Sequence, residues 1–125
     1  MKLEYLADSS PECPLIRLYD FTEDEARALR NIFYSLANGG VKVVALERES
    51  FIVPIGDCQL ALVAQDKDHG IRAIATTSFE CGLTELAWDN AAGLTDSLCD
   101  SETAGHQWLT STGQVGLLIS RDGSW

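Results

Sequence analysis

Four residues in the last third of the chain bring a thiol, two carboxylates and an imidazole close together in the sequence. They are Cys99, Asp100, Glu102 and His106. A cysteine beside a histidine that an acid orients is the arrangement of a nucleophile with its general base. Carboxylates near an imidazole can instead hold a metal ion. Because the spacing matches no known motif, we interpret the cluster first as a polar loop after a helix, and second as a catalytic or ligand-binding site.

A second polar cluster, Asp66, Asp68 and His69, precedes Gly70. Carboxylates and imidazole are metal ligands, but these residue types are also typical of a solvated turn. No complete coordination loop is present, so we predict no metal site. The sequence also lacks a glycine-rich phosphate loop and a serine-hydrolase elbow, and we therefore expect no cofactor.

The stretch from 73 to 120 contains no Lys or Arg, although it carries six acidic residues. Tryptophans lie among these acids, and an indole beside carboxylates can receive a cationic side chain by cation–π contact and ion pairing. The stretch therefore predicts a surface for a basic protein partner, formed by Trp88, Asp89, Asp96, Asp100, Glu102 and Trp108. The alternative for Trp88 and Trp108 is a place in the hydrophobic core. Trp125, at the end of the chain, is less constrained.

The overall charge narrows the classes of partner. The formal net charge is −10, which disfavours nucleic acid and anionic membrane surfaces because both require a cationic face. No apolar run is long enough to cross a bilayer, and charges interrupt the N-terminal residues where a signal peptide would be apolar. We therefore expect a cytoplasmic protein with reduced thiols. Cys58 and Cys81 are predicted in the core, whereas Cys13, between two prolines, is expected to be exposed.

These observations favour a small acidic, non-enzymatic module that recognises a basic protein. The alternative is a small enzyme, or a ligand- or metal-binding protein, that uses the cluster around Cys99 and His106. Homo-oligomerisation through an open sheet edge is compatible with either function.

The elements that position these residues follow from capping and periodicity. The 125 residues suit one α+β domain. Thr22 and Glu25 form a capping box that begins a helix over 23–37, and Asn38-Gly39-Gly40 ends it. Weaker helical spacing predicts a short second helix over 88–99. The segments outside these two helices predict an antiparallel sheet of six to eight strands, with the first helix packed on one face.

Strict alternation of apolar residues from 57 to 83 predicts one long hairpin at the centre of this sheet. A four-residue loop, 66–69, would place Ala64 opposite Ile71 and Leu62 opposite Ala73. The second arm is longer than a typical strand, so we expect a bend near 76–79. A final hairpin is predicted from strands over 107–111 and 114–120.

Overall fold

The computed structural model describes residues 1–100, 105–110 and 113–125. In chain order its elements are β1 (Lys2–Leu6), β2 (Leu15–Tyr19), α1 (Glu23–Ala37), β3 (Val43–Ala45), a 3-10 turn (Leu46–Arg48), β4 (Val53–Pro54), β5 (Gln59–Ala64), β6 (Gly70–Ala73), β7 (Ser78–Leu83), α2 (Glu85–Asp96), β8 (His106–Thr110) and β9 (Gly116–Ser120). The nine strands form two mixed sheets, ordered β4-β1-β2-β9-β8 and β3-β5-β7-β6. The α+β class is confirmed, but the single antiparallel sheet is not.

Helix α1 begins and ends where the sequence predicts. The Thr22 side chain accepts a hydrogen bond from the Glu25 amide, and the Thr22 amide donates to the Glu25 carboxylate at 2.9 Å. The second Glu25 oxygen accepts from the α-amino group of Met1 at 2.6 Å. Gly39, just after the helix, has a φ of 80°, a conformation that glycine adopts without a Cβ clash. Glu25 therefore joins the start of α1 to the start of β1.

The predicted central hairpin is wrong. Strand β5 pairs in parallel with β7, which places Leu60 opposite Phe79 and Leu62 opposite Cys81. Strand β6 pairs with the other edge of β7, so β7, the later part of the expected second arm, lies between β5 and the earlier part of that arm. The expected second arm is broken by an exposed turn over 74–77, close to the expected bend. Alternation identifies the buried face of a strand, but it does not identify the strand beside it.

Helix α2 exists, but it spans Glu85–Asp96 and not 88–99. Thr84 caps it by accepting a hydrogen bond from the Ala87 amide at 3.2 Å. Trp88 is fully buried against α1, where its ring stacks on Phe33 with centroids 5.4 Å apart. Its indole N–H donates to the Val63 carbonyl at 3.0 Å, so the buried donor is satisfied. Trp88 therefore holds both helices against β5.

The two sheets share one hydrophobic cluster. Tyr5 of β1 contacts Phe79 of β7, with ring centroids 4.6 Å apart. At another point the Gln114 amide donates to the Ile71 carbonyl, which links the start of the β9 segment to β6. Strands β8 and β9 form the predicted final antiparallel pair, and β9 also pairs in parallel with β2. Within the described part of the chain, no helix has the length and hydrophobicity needed to cross a membrane.

We predict that Glu25→Gln lowers the free energy of unfolding at pH 7 by about 1.5–3 kcal/mol, the usual value of a charge-assisted hydrogen bond. Gln retains the cap on Thr22 but loses the ion pair with Met1. Burial alone would raise the pKa of Glu25, but hydrogen bonds from the Met1 ammonium and Thr22 lower it below its usual value. The ion pair therefore stabilises the fold above pH 4.5 and is lost as the pH falls through the lowered pKa.

Denaturant unfolding of both proteins between pH 7 and pH 3 measures this effect. The difference between wild type and variant should shrink as the pH falls below 4.5. Asp24→Asn is the control, because the Asp24 side chain is 95% exposed and pairs with Arg27 on the helix surface. Its effect should be below about 1 kcal/mol. If the difference in unfolding free energy between wild type and Glu25→Gln did not change with pH, this would contradict a stabilising ion pair between Glu25 and Met1.

Candidate functional site

Two cavities share the half-buried Trp108, on β8, in their lining, and we call them together the Trp108 groove. The Cys13 lobe is about 540 Å³ and is lined by Glu12, Cys13, Pro14, Trp108, Gly113, Gln114 and Gly116. The Trp125 lobe is about 490 Å³ and is lined by Ser10, Glu12, His106, Trp108, Ser124 and Trp125. Glu12 and Trp108 belong to both lobes. Volumes of this size are typical of ligand-binding clefts.

The pairing of β2 with β9 positions the groove. Leu15 lies opposite Gly116 in parallel register, and the Gly116 amide donates to the Pro14 carbonyl at 3.2 Å. This register brings the loop before β2 beside Trp108. The absence of a side chain at Gly116 leaves space for the indole, because a Cβ there would lie 2.9 Å from the Trp108 ring. Gly116 is the first residue of β9, inside the strand that the sequence predicts over 114–120, and the close approach of the indole accounts for a glycine at this position.

The end of the chain forms the other wall of the groove. The Arg17 guanidinium donates to the Gly123 carbonyl at 2.7 Å and also binds Glu4, so it connects the last turn to the sheet. Beyond this turn, the Trp125 indole N–H donates to the Glu12 carboxylate at 3.3 Å. The contact joins residues at opposite ends of the sequence and places an indole next to a carboxylate.

Glu12 brings negative charge to both lobes. Hydrogen bonds from the Ser10 hydroxyl, its own backbone amide and Trp125 lower the pKa of the Glu12 carboxyl below its usual value. It is therefore ionised at neutral pH. Among the described residues, no Lys or Arg lines either lobe. The groove thus combines two indoles with an ionised acid, and the described lining places no Lys or Arg beside that acid.

Cys13 is the one partly exposed thiol of the four, all of which are free. Burial acts to raise the pKa of Cys13, but the hydroxyls of Ser9 and Ser10, 3.5 and 3.6 Å from its sulfur, lower it below its ordinary value overall. The other thiols are buried. Burial raises the pKa of Cys58 to about 11 and that of Cys81 to about 12, as expected for core cysteines.

The structure separates the residues of the predicted catalytic cluster. Cys99 is buried, its sulfur donates to the Thr95 carbonyl at 3.6 Å, and burial raises its pKa. His106 is exposed and lines the Trp125 lobe, which Cys99 does not reach. Asp100 is exposed, and Glu102 lies outside the described residues. Within the described ranges, no three His, Cys, Asp or Glu residues are arranged to hold a metal ion.

The predicted partner surface is also divided. Trp88 is fully buried, so a partner cannot contact it and its place in the prediction is corrected. The Asp96 carboxylate binds the Arg30 guanidinium of α1 at 2.6 Å, although the stretch from 73 to 120 that contains Asp96 has no Lys or Arg. Asp89 remains exposed on α2. Among the described residues of the predicted surface, Trp108 alone lines the groove, and part of the rest of the lining, such as Glu12 and Cys13, lies far from it in sequence.

Arginines from outside the cation-free stretch cover the end of α2. Arg27 donates to the Cys99 carbonyl at 3.3 Å, while Arg121 donates to the carbonyls of Leu98 and Asp100 at 2.6 and 2.9 Å. These carbonyls belong to the segment that follows α2, which ends at Asp96, and their hydrogen bonds to guanidinium groups are charge-assisted. These arginines therefore offset part of the negative charge of the cation-free stretch. The acidic surface at the end of α2 is less accessible to a partner than predicted.

Sequence reasoning missed Glu12 and Ser10, and it left Trp125 without a role. Nothing near Glu12 in the sequence indicates an indole partner, because the partner lies at the other end of the chain. One available signal was Gly116, placed within an apolar run, since a glycine inside a strand often marks the close approach of another group.

We predict that Gly116→Ala displaces the Trp108 ring and lowers the free energy of unfolding by about 1–3 kcal/mol, as overpacking does. The new methyl group would meet the ring at 2.9 Å. Denaturant unfolding and the tryptophan emission maximum measure both effects. Gly93→Ala is the matched control, because a Cβ there meets nothing within 4 Å and helix propensity favours Ala. A Gly116→Ala protein as stable as Gly93→Ala would contradict the packing described.

We predict one rapidly reacting thiol per native chain, because Cys13 combines partial exposure with a lowered pKa. Labelling with a thiol reagent at pH 7.5, with mass analysis, counts the modified sites. Cys13→Ser should remove the rapid phase. Cys99→Ser, which retains a donor to Thr95, should leave it unchanged. A rapid phase that survives in Cys13→Ser would show that a supposedly buried thiol is reactive.

Comparison with known proteins gives no guide to the function of the groove. No family model, curated protein or solved structure matches this chain at a significant level. The chemistry of the site is therefore interpreted from its own side chains.

Proposed function

We propose that this protein is a non-enzymatic interaction module that recognises a basic protein, and that the Trp108 groove receives a cationic side chain of that partner. The observation that carries the proposal is the contact between Trp125 and Glu12 beside Trp108. An ionised carboxylate flanked by indoles attracts a cation both by charge and by the quadrupoles of the rings.

The charge of the whole chain supports the same partner. A net charge of −10 on 125 residues attracts a basic surface from a distance and increases the rate of encounter. Exposed acids such as Asp89 add to this field. The groove then supplies the local contact, since its aromatic walls can replace part of the hydration that a cation loses on entering.

The groove supports this function better than the acids of α2 do. Asp96 is already paired with Arg30, and the adjacent helix end is covered by Arg27 and Arg121. A partner that bound there would have to displace cations of the chain itself. In the groove, by contrast, the described lining contains no Lys or Arg.

An enzyme that uses Cys99 as a nucleophile is less well supported. The Cys99 thiol is buried, and its raised pKa keeps it protonated at neutral pH. His106 lines a different region, among tryptophans and serines. We therefore assign His106 to the wall of the binding groove and not to a nucleophile–base pair.

Titration with a short, flexible peptide of lysine and glycine tests the proposal, with binding followed by tryptophan fluorescence. We expect saturable binding that weakens about tenfold or more between 0.05 and 0.5 M salt, because exposed charges are screened. Trp125→Ala should weaken binding about threefold to thirtyfold, the range of one cation–π contact. Glu12→Gln should weaken it about twofold to fivefold.

Asp57→Asn is the matched control, because Asp57 is an exposed acid in the segment after β4, at the opposite edge of the first sheet from β8. It removes the same charge and should leave binding nearly unchanged. The same peptide with glutamate in place of lysine should not bind. Equal losses in Asp57→Asn and Glu12→Gln would contradict a localised site, and binding that is insensitive to salt would contradict charge recognition.

A further inference from the structure

We propose that the basic partner binds as an added strand. An extended segment of the partner pairs with the outer edge of β8 and places a lysine side chain in the Trp125 lobe. The inference rests on the proposed function and specifies how the groove receives its cation. It depends on three features of β8, which are the direction of its backbone groups, the space beside it and the charges on either side of it.

Strand β8 is an edge strand. It lies at one end of its sheet, which is ordered β4-β1-β2-β9-β8, and within the described part of the chain no strand pairs with its outer side. An edge strand presents a row of backbone donors and acceptors to which a segment of another chain can add. Strand β8 therefore offers a template for one further strand.

The backbone hydrogen bonds between β8 and β9 determine which groups the template presents. In an antiparallel pair, residues that exchange hydrogen bonds alternate with residues whose N–H and C=O groups point away from the partner strand. The Arg121 amide donates to the Gly105 carbonyl, so Gln107, two residues further on, also faces β9. The N–H and C=O groups of His106 and Trp108 therefore point to the outer edge.

The other side of β9 gives the same assignment. The Gly116 amide donates to the Pro14 carbonyl, next to β2. Because alternate residues of a central strand bond to opposite neighbours, Ile119 then faces β8, where it lies opposite Gln107. The regular edge ends at Trp108, since a bulge shifts the register beyond it. The edge is short, and an added strand needs the groove as a second contact.

The two residues that present the edge also line the groove. His106 and Trp108 are two positions apart, so their side chains leave the same face of the strand, and both line the Trp125 lobe. A strand added beside β8 would carry alternate side chains on that face, with Cβ atoms about 5 Å from those of its neighbour. A lysine at such a position lies beside the Trp108 indole, in the lobe that Glu12 also lines.

A third cavity, of about 320 Å³, provides space along the edge. It is lined by residues 108–110 of β8 and, from outside the strand, by residues that include Asp68, Ala87 and Asn90. The side chain of Trp108 is on the groove face, whereas Leu109 is part of the hydrophobic core. A cavity that contacts both residues lies along the edge of the strand and not over one of its faces.

The charges beside the edge favour a basic segment. Glu12 in the Trp125 lobe and Asp68 in the third cavity each supply a carboxylate, and the described linings of both cavities contain no Lys or Arg. A second copy of this chain would bring the same acids, and a net charge of −10, against this edge. Like charges that face each other across an interface are costly. The occupant is therefore a basic segment of another protein.

The other sheet edges are less suitable for such a segment. Strand β4 has two residues, and one of them is Pro54, which has no N–H. The outer edge of β6 is bridged at Ile71 by Val115. Strand β3 also lies at the end of its sheet, but the exposed cations Lys42 and Arg48 flank it and would repel a basic partner.

Three peptides in which lysine and glycine strictly alternate test the inference by tryptophan fluorescence. One is unmodified, one is N-methylated at every lysine amide, and one is N-methylated at every glycine amide. In an added strand, alternate amides face β8, so one methylated peptide loses these hydrogen bonds and the other retains them. We expect the affinities of the two methylated peptides to differ about tenfold or more. Asp57→Asn should retain this difference.

Hydrogen exchange of the protein's own amides, followed by NMR, provides a second readout on the wild-type chain. The unmodified peptide at saturation should slow exchange at His106 and Trp108 about tenfold or more, because both amides gain an acceptor. The Gln107 amide, which already faces β9, should change little and serves as the internal control.

Each other outcome is decisive. Equal binding of the two methylated peptides would overturn strand addition, and the proposed function would stand if Glu12→Gln still weakens the unmodified peptide. A free protein that is dimeric, with the amides of His106 and Trp108 already protected, would show that a second copy occupies the edge and would also overturn the inference. Failure of the unmodified peptide to bind would overturn both proposals.

Discussion

The parallel pairing of β2 with β9 is the constraint on which the site depends. It joins an early strand to the last one, and its register places Leu15 opposite Gly116. Because of that register, the loop that carries Glu12 lies beside Trp108, and the turn after β9 returns Trp125 to Glu12. Three segments that are distant in sequence thereby form one groove. A slip of one residue would turn the side chains of β9 to the opposite face of the sheet and remove the space that Gly116 leaves for the indole.

Local signals in the sequence predicted much of the fold. The capping box at Thr22 and the glycine after Asn38 defined α1 to the residue, since both ends of a helix have side-chain signatures. Helix α2 was predicted three residues late because its cap, Thr84, was not recognised within an apolar stretch. The faces of β5 and β7 were predicted correctly, but not their parallel pairing. Strand order depends on contacts between distant residues, which periodicity does not encode.

The candidate site was less predictable for the same reason. Trp108 and His106 were selected from their residue types, and both line the groove. Trp88 has the same residue type but is a core residue, stacked on Phe33. The absence of Lys and Arg from 73 to 120 was a correct observation about the sequence, yet Arg30 and Arg121 pack against that stretch in the fold. A charge pattern along the chain does not indicate which charges meet in space.

The indole N–H resonances of the three tryptophans, followed by NMR during titration with the basic peptide, test the central claim most directly. Trp125 donates to Glu12 and Trp88 donates to Val63, so each reports on a different region. Our account predicts that the signals of Trp108 and Trp125 shift with saturation, that both shifts decrease in Glu12→Gln, and that the signal of Trp88 does not move. A saturable shift of Trp88 with Trp108 and Trp125 unchanged would contradict it.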